Sequence, residues 1–124
     1  MAGRFSFGLL MVGVFLLSSF SEGNKAKLLY DQGNVQKTWC VAKPSTDDET
    51  LRRNFNFSCS QSHVNCGVLS KGSACFYPDN LINHASVAMN LYYSSTGRNA
   101  WNCYFGGSAL ITTTDPSYAG CYYA

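Results

Sequence analysis

The chain begins with thirteen uncharged residues from Phe5 to Leu17, preceded by Arg4 and followed by the small and polar run Ser18-Ser19-Phe20-Ser21. A basic residue, a short apolar stretch and small side chains before a cut are the pattern of a secretory leader, here predicted as residues 1–21 with cleavage after Ser21. The run falls short of the about 18 apolar residues a spanning helix needs. From Glu22 to Lys37 the pattern turns polar, broken only by Leu28-Leu29-Tyr30, and reads as an N-terminal arm over residues 22–37. The folded domain is expected over 38–124.

Within that domain, "TWCVAKP" alternates Trp39 and Val41 against Cys40 and Ala42 until Pro44 stops it, which predicts a short strand. Ser45 or Thr46 can then cap a helix whose first turn holds Asp47, Asp48 and Glu49, and Leu51, Phe55 and Cys59 recur on one face. A Ser-, Asn- and Gly-rich loop leads to a second helix, predicted from about Asp79 to Tyr93. Its apolar stripe is Leu81, Ala85, Ala88, Met89 and Tyr92, with Asn83, Ser86 and Asn90 opposite and Tyr93 on the border. Gly106-Gly107 supplies a turn. Ala109 to Thr114 is β-branched enough for a strand, ended by Asp115-Pro116-Ser117 and placed antiparallel to the strand at Trp39. The fold class is α+β: a small disulfide-rich domain of two helices with a short antiparallel sheet.

Cysteine content sharpens this picture. All six cysteines, at 40, 59, 66, 75, 103 and 121, follow the expected cleavage site, and an even count in a short exported chain implies three disulfides, though spacing alone leaves their pairing open. A domain of roughly 90 residues buries only about 60% of its unfolded surface. One bridge closing about 60 residues adds on the order of 4 kcal/mol, so the staples decide whether such a chain folds.

Charge excludes several partners. Without Arg4 the chain carries eight Lys or Arg against seven Asp or Glu. It has neither the basic stripe of a nucleic-acid binder nor the basic amphipathic helix of a membrane-surface protein. Only three residues follow Cys121, too few for the apolar tail of a glycolipid anchor, so no membrane anchor is expected. A soluble, secreted and monomeric protein with an uncharged partner is the expectation.

Residues 76 to 124 hold ten aromatics and only three charges, Asp79, Arg98 and Asp115. Sugars suit such a surface, because the C–H face of a pyranose lies on an aromatic ring while its hydroxyls pair with Asn, Ser, Thr and Tyr. Tyr77, Tyr93, Tyr104 and Phe105 each adjoin a turn or polar face and are the candidate rings, with Asn90 as a hydrogen-bonding neighbour; Trp39, Phe55 and Tyr92 are assigned to the core. Glycoside hydrolysis needs two carboxylates about 5 to 10 Å apart across a cleft. Once the three capping acids and Glu22 at the expected new N-terminus are set aside, only Asp31, Asp79 and Asp115 remain inside the chain, two of them at a helix start and a turn. Catalysis is therefore not expected. Cys59, His63 and Cys66 match a sparse zinc spacing, but in an exported chain a disulfide between the two cysteines is the expected fate, with no metal and no cofactor. His84, at the edge of the apolar stripe, is read as a structural histidine. "NFS" at Asn56 to Ser58 is an N-glycosylation acceptor pattern.

In combination, "TWCVAKP", the Cys59 and Cys66 pair, "NLINHASVAMNLYY" and "CYFGGSALITTTDPS" resemble the plant carbohydrate-binding module of family 43, the X-eight domain, over about residues 38 to 121. The resemblance implies a non-catalytic module of the plant cell wall that binds β-1,3-glucan such as callose, with wall glucanases as further partners, in its free-standing form. It also implies bridges Cys40 to Cys103, Cys59 to Cys66 and Cys75 to Cys121. Val87 and Met89 stand where the family commonly carries aromatics, which would weaken a stacking surface on the second helix. The alternative reading is a secreted protein-interaction or signalling module of the wall that uses the same rings without binding glucan.

Overall fold

The computed structural model describes residues 36–124, of which Lys37–Ala124 form one unit. The expected leader, the arm up to residue 35 and Asp31 lie outside the described residues. Strand β1 (Trp39–Ala42) is followed by helix α1 (Asp48–Cys59), helix α2 (Leu81–Ser95) and strand β2 (Ala109–Thr112), with short 3₁₀ turns at Gly67–Leu69, Ala100–Cys103 and Phe105–Gly107. β1 and β2 pair antiparallel, Trp39 opposite Thr112 and Ala42 opposite Ala109.

Two strands with one ladder leave half of their backbone groups pointing away from each other, and such a pair is marginal by itself. The free edge of β1 is closed by α2. The Cys40 N–H donates to Asn90 Oδ1 at 2.9 Å, and the Ala42 N–H donates to Ser86 Oγ at 3.0 Å. The spacing explains why one helix can serve a strand edge: four residues of helix rise about 6 Å, and two residues of strand advance about 6.6 Å. Asn90 also donates through Nδ2 to the Ala124 carbonyl at 3.3 Å, and so leaves its amide satisfied at 1% exposure.

Here the polar face predicted for the second helix is corrected. Ser86 and Asn90 are buried, and Asn83 donates to the carbonyls of Cys75 and Pro78 while accepting from the Tyr118 hydroxyl. All three side chains are consumed inside the fold. From Ala85 to Asn90 every residue of α2 is buried, as expected of a helix packed on several sides. One apolar cluster joins Trp39, Leu69, Val87, Ala88 and Tyr123 around the Cys75–Cys121 bridge. A second joins Ala42, Leu51, Ala85, Met89 and Tyr93 around Cys40–Cys103. Phe55 is half-buried and packs against both. Val87 and Met89 are 3% and 0% exposed: both are core, Met89 as its place on the apolar stripe predicts, and these two positions offer no surface for stacking.

Boundaries shift for local reasons. Asp47, not Ser45 or Thr46, caps α1, because its carboxylate reaches both the Thr50 N–H at 3.1 Å and the Thr50 hydroxyl at 2.7 Å. Those bonds hold the Asp47 carboxyl below its ordinary pKa. Asn80, accepting from the Asn83 N–H at 2.8 Å, caps α2 one residue beyond Asp79. The buried face of α1 is turned by one residue from the predicted stripe: Leu51, Asn54 and Ser58 are buried, and Phe55 and Cys59 only half so. β2 ends at Thr112, where the Thr112 hydroxyl accepts from the Thr114 N–H and bends the chain away.

The disulfides are Cys40–Cys103, Cys59–Cys66 and Cys75–Cys121, with sequence separations of 63, 7 and 46. This is the pairing implied by the resemblance. The loop-entropy model assigns about 4 kcal/mol to each of the two long closures and about 2 kcal/mol to the short one. Against a domain stability of about 5–15 kcal/mol, only the long bridges are decisive. Replacing both Cys59 and Cys66 by serine should therefore leave a cooperatively folded domain in urea titration, whereas the Cys40/Cys103 double replacement should remove about 4 kcal/mol. Asn90→Ala strands the Cys40 N–H in the interior. Its expected cost is about 2 kcal/mol or more by the same titration, far above that of an exposed Asn→Ala change such as Asn65→Ala.

Candidate functional site

Five aromatic rings from three parts of the chain meet at one surface. Phe57 leaves α1 at the edge of its buried face, Tyr92 leaves the last turns of α2, and Trp101, Tyr104 and Phe105 come from the 3₁₀ segment after it. With Asn102 they line an open cavity of about 290 Å³. Phe57, Tyr92 and Phe105 form a triangle of edge-to-face contacts, with centroid separations of 5.1, 6.2 and 6.0 Å. That is the arrangement ring quadrupoles favour, and it fixes the angle of each ring. Asn102 donates to the Tyr92 hydroxyl at 3.4 Å and accepts from Asn99 Nδ2 at 3.2 Å. His63 tilts toward the Tyr92 ring at 6.2 Å.

Local backbone geometry sets the rings. Cys103 is buried and bridged to Cys40 of β1, so Ala100–Gly107 is tied to the core in the middle of the segment. On either side of that anchor, Trp101 and Tyr104 are 73% and 67% exposed. Phe105 adopts φ of 44°, and Gly106 and Gly107 follow at 64° and 87°. Left-handed backbone is costly for a side chain as large as Phe, and here it turns that ring back toward Phe57 and Tyr92 while the two glycines complete the reversal.

No lining residue of this cavity is charged. Apolar ring faces beside a few neutral hydrogen-bonding groups suit a sugar, and the lack of any lining carboxylate gives the cavity no acid or base for glycosidic cleavage. Among the described residues, Asp115 and Asp79 are engaged elsewhere. Asp115 Oδ1 accepts from the Ser117 N–H at 2.9 Å, and the bonds with Ser117 lower its pKa. Asp79 lies 3.8 Å from the His84 imidazole, whose Nε2 is 2.6 Å from the Phe76 carbonyl. His84 is thus a half-buried bracket between the α2 start and the preceding loop. Cys59 and Cys66 are joined to each other, so the zinc spacing has no free thiolates.

The structure brings together Tyr104 and Phe105 of the five candidate binding residues and separates the other three. Tyr93 is 1% exposed, its hydroxyl 2.7 Å from that of Thr38, and Asn90 is the buried clamp on β1; neither can touch a ligand. Burial explains both corrections, since β1 and the residue before it cover the part of α2 that carries Asn90 and Tyr93. Tyr77 is 67% exposed but lies beside the N-terminal end of α2, packed edge-on against Phe76 with its carbonyl bonded to Tyr118. The helical rise from Asn80 to Tyr92 puts it about 18 Å from the cavity along α2. Tyr92, assigned to the core, is half-buried and lines the cavity.

Phe57, Trp101 and Asn102 were not among the candidates. Phe57 was legible in part: two residues from Phe55, it falls about 200° round the helix and off the predicted apolar stripe. Trp101 sits in an irregular segment where no periodicity distinguishes inward from outward, and only its polar neighbours Arg98, Asn99 and Asn102 hint at exposure.

The small α+β scaffold, stapled by three disulfides, thus offers an uncharged aromatic cavity. The X8 domain matches residues 38–110, and the chain belongs to that family, a carbohydrate-binding module. It is 46% identical over 90 residues to the major pollen allergen Ole e 10 of Olea europaea, covering 73% of this chain and 72% of the allergen. Over 84 residues it is 48% identical to a glucan endo-1,3-beta-D-glucosidase of the same plant, covering 68% of this chain but 18% of the glucosidase. A glucan endo-1,3-beta-glucosidase of Triticum aestivum is 42% identical over 85 residues, with 68% and 18% covered. The chain thus spans under a fifth of those glucosidases.

The two tryptophans offer a direct check of the geometry. Trp39, 6% exposed, should resist acrylamide quenching, and Trp101 should be quenched almost as readily as free indole. Trp101→Phe should accordingly leave only protected emission, and persistent quenching in that variant would contradict the placement of Trp39.

Proposed function

We propose that this domain binds β-1,3-glucan, callose included, at the cavity formed by Phe57, Tyr92, Trp101, Tyr104 and Phe105. The observation that carries this reading is the uncharged cavity itself, whose rings are held at fixed angles by mutual contact and by the Cys40–Cys103 anchor. Relatives named for 1,3-β-glucan cleavage carry the same kind of domain, which points to that polymer among neutral sugars. Preorganised rings lose little side-chain freedom on contact, so a weakly polar site can still hold a sugar.

In the same reading the protein is exported after loss of residues 1–21, works in the plant cell wall as a monomer alongside wall glucanases, and takes an N-glycan at Asn56. Three bridges suit an oxidising compartment, and Asn56 is exposed on α1. A second reading is favoured by β2, which leaves Leu110 and Ile111 exposed at 42% and 44%: a protein-interaction or signalling role in the wall, with a partner seated on that strand.

Sedimentation with insoluble β-1,3-glucan, with cellulose as control, tests the proposal. The oxidised domain should be retained on the first only, and Trp101→Ala should weaken retention by about tenfold or more, the effect of losing a central aromatic anchor. Equal retention on both polymers, or on neither, contradicts it; capture of a wall protein that survives an excess of soluble glucan supports the second reading instead.

A further inference from the structure

The aromatic cavity has a neighbour of different chemistry. A groove of about 590 Å³ runs between the start of α1 and the turn before β2, and Phe105 lines both spaces. Beyond Phe105 the walls become polar: Lys43, Asp47, Arg53 and Asn54 face the groove. Its shape is fixed by bonds that do not need a ligand. Asn54 Nδ2 donates to Ser108 Oγ at 2.9 Å, Ser108 Oγ donates to the Phe105 carbonyl at 2.6 Å, and the Lys43 N–H donates to the Ser108 carbonyl at 2.9 Å. Gly106 and Gly107 line it without side chains, and a Cβ on either would meet nothing within 4 Å, so the space beside the turn is open.

The charges there have mixed sign. An anion would meet the ionised Asp47 and a cation would meet Lys43 and Arg53, whereas a polyhydroxyl chain can give hydrogen bonds to the carboxylate and accept them from the ammonium and guanidinium groups. Arg53 has donors to spare, since within the protein it bonds the Thr50 hydroxyl at 3.2 Å and lies 3.9 Å from Glu49.

We propose that a glucan chain stacked in the aromatic cavity continues past Phe105 into this polar groove, so that the domain recognises an extended stretch of neutral polysaccharide and not a single sugar. The proposal rests on the glucan-binding reading and adds to it a second subsite, with Lys43, Asp47 and Arg53 as its hydrogen-bonding groups.

Calorimetric titration of the disulfide-intact protein with β-1,3-linked oligosaccharides, from the disaccharide to the hexasaccharide, tests it. Affinity should rise by about tenfold once the chain outruns the aromatic cavity, the scale of one charge-assisted hydrogen bond. The Lys43→Ala/Arg53→Ala double variant should flatten that series, while Trp101→Ala should weaken binding at every length. In parallel, NMR amide shifts at Gly106, Gly107 and Ser108 should respond to the longer sugars and remain still with the disaccharide. Binding that is independent of length overturns the second subsite and leaves the aromatic one standing. Binding of no oligosaccharide overturns both.

Discussion

The side chains of Asn90 and Ser86 do for β1 what a third strand would do. Through them the two free N–H groups of a four-residue strand are satisfied in the interior, where an unpaired donor would cost about 1–3 kcal/mol. The consequence reaches well beyond the sheet. Two bonds four residues apart fix α2 in both rotation and translation against β1, and that fixes which side chains of its last turn face in. Tyr93 turns to the core and meets Thr38, and Tyr92, about 100° away, is left at the surface to become a wall of the aromatic cavity.

The other walls depend on a covalent constraint laid over the same strand. Cys40, whose N–H is held by Asn90, carries the bridge to Cys103, so clamp and staple act on one residue. A domain with so thin a core would ordinarily draw its large aromatics inward. Here Trp101 and Tyr104 flank a buried, bridged cysteine and cannot follow it in. Their exposure is thus a product of the covalent framework, and the rings reach the surface without mobile loops to carry them.

Much of this was legible in the chain. The alternation at Trp39, the turn at Gly106-Gly107 and the β-branched run after it were sufficient for the pairing of β1 with β2, because short strands bounded by breakers have few other arrangements. The helices were legible too, with their ends displaced by one or two residues by side-chain caps. What failed was the meaning of polar residues on α2. Ser86, Asn90 and Asn83 look like a solvated face when the helix is considered alone, and are drawn into the fold, Ser86 and Asn90 fully and Asn83 in part, only because a strand edge and an adjoining loop need donors and acceptors. Periodicity reports the contrast between faces and carries no information about what lies against them. The candidate site was half legible for the same reason: Tyr104 and Phe105 were marked by the adjoining turn, Tyr93 and Asn90 were lost to the core, and Trp101 stood in a segment with no period at all.

The central claim is that the face of Trp101 and its neighbouring rings is where a neutral sugar rests. Intermolecular nuclear Overhauser effects between a β-1,3-linked glucan oligosaccharide and the oxidised protein test it most directly. The account predicts contacts from the ring C–H protons of the sugar to Trp101, Tyr104 and Phe57, with none to Tyr77 or Tyr122, which are also exposed. Contacts confined to Tyr77 and Tyr122 would place the sugar elsewhere and contradict it.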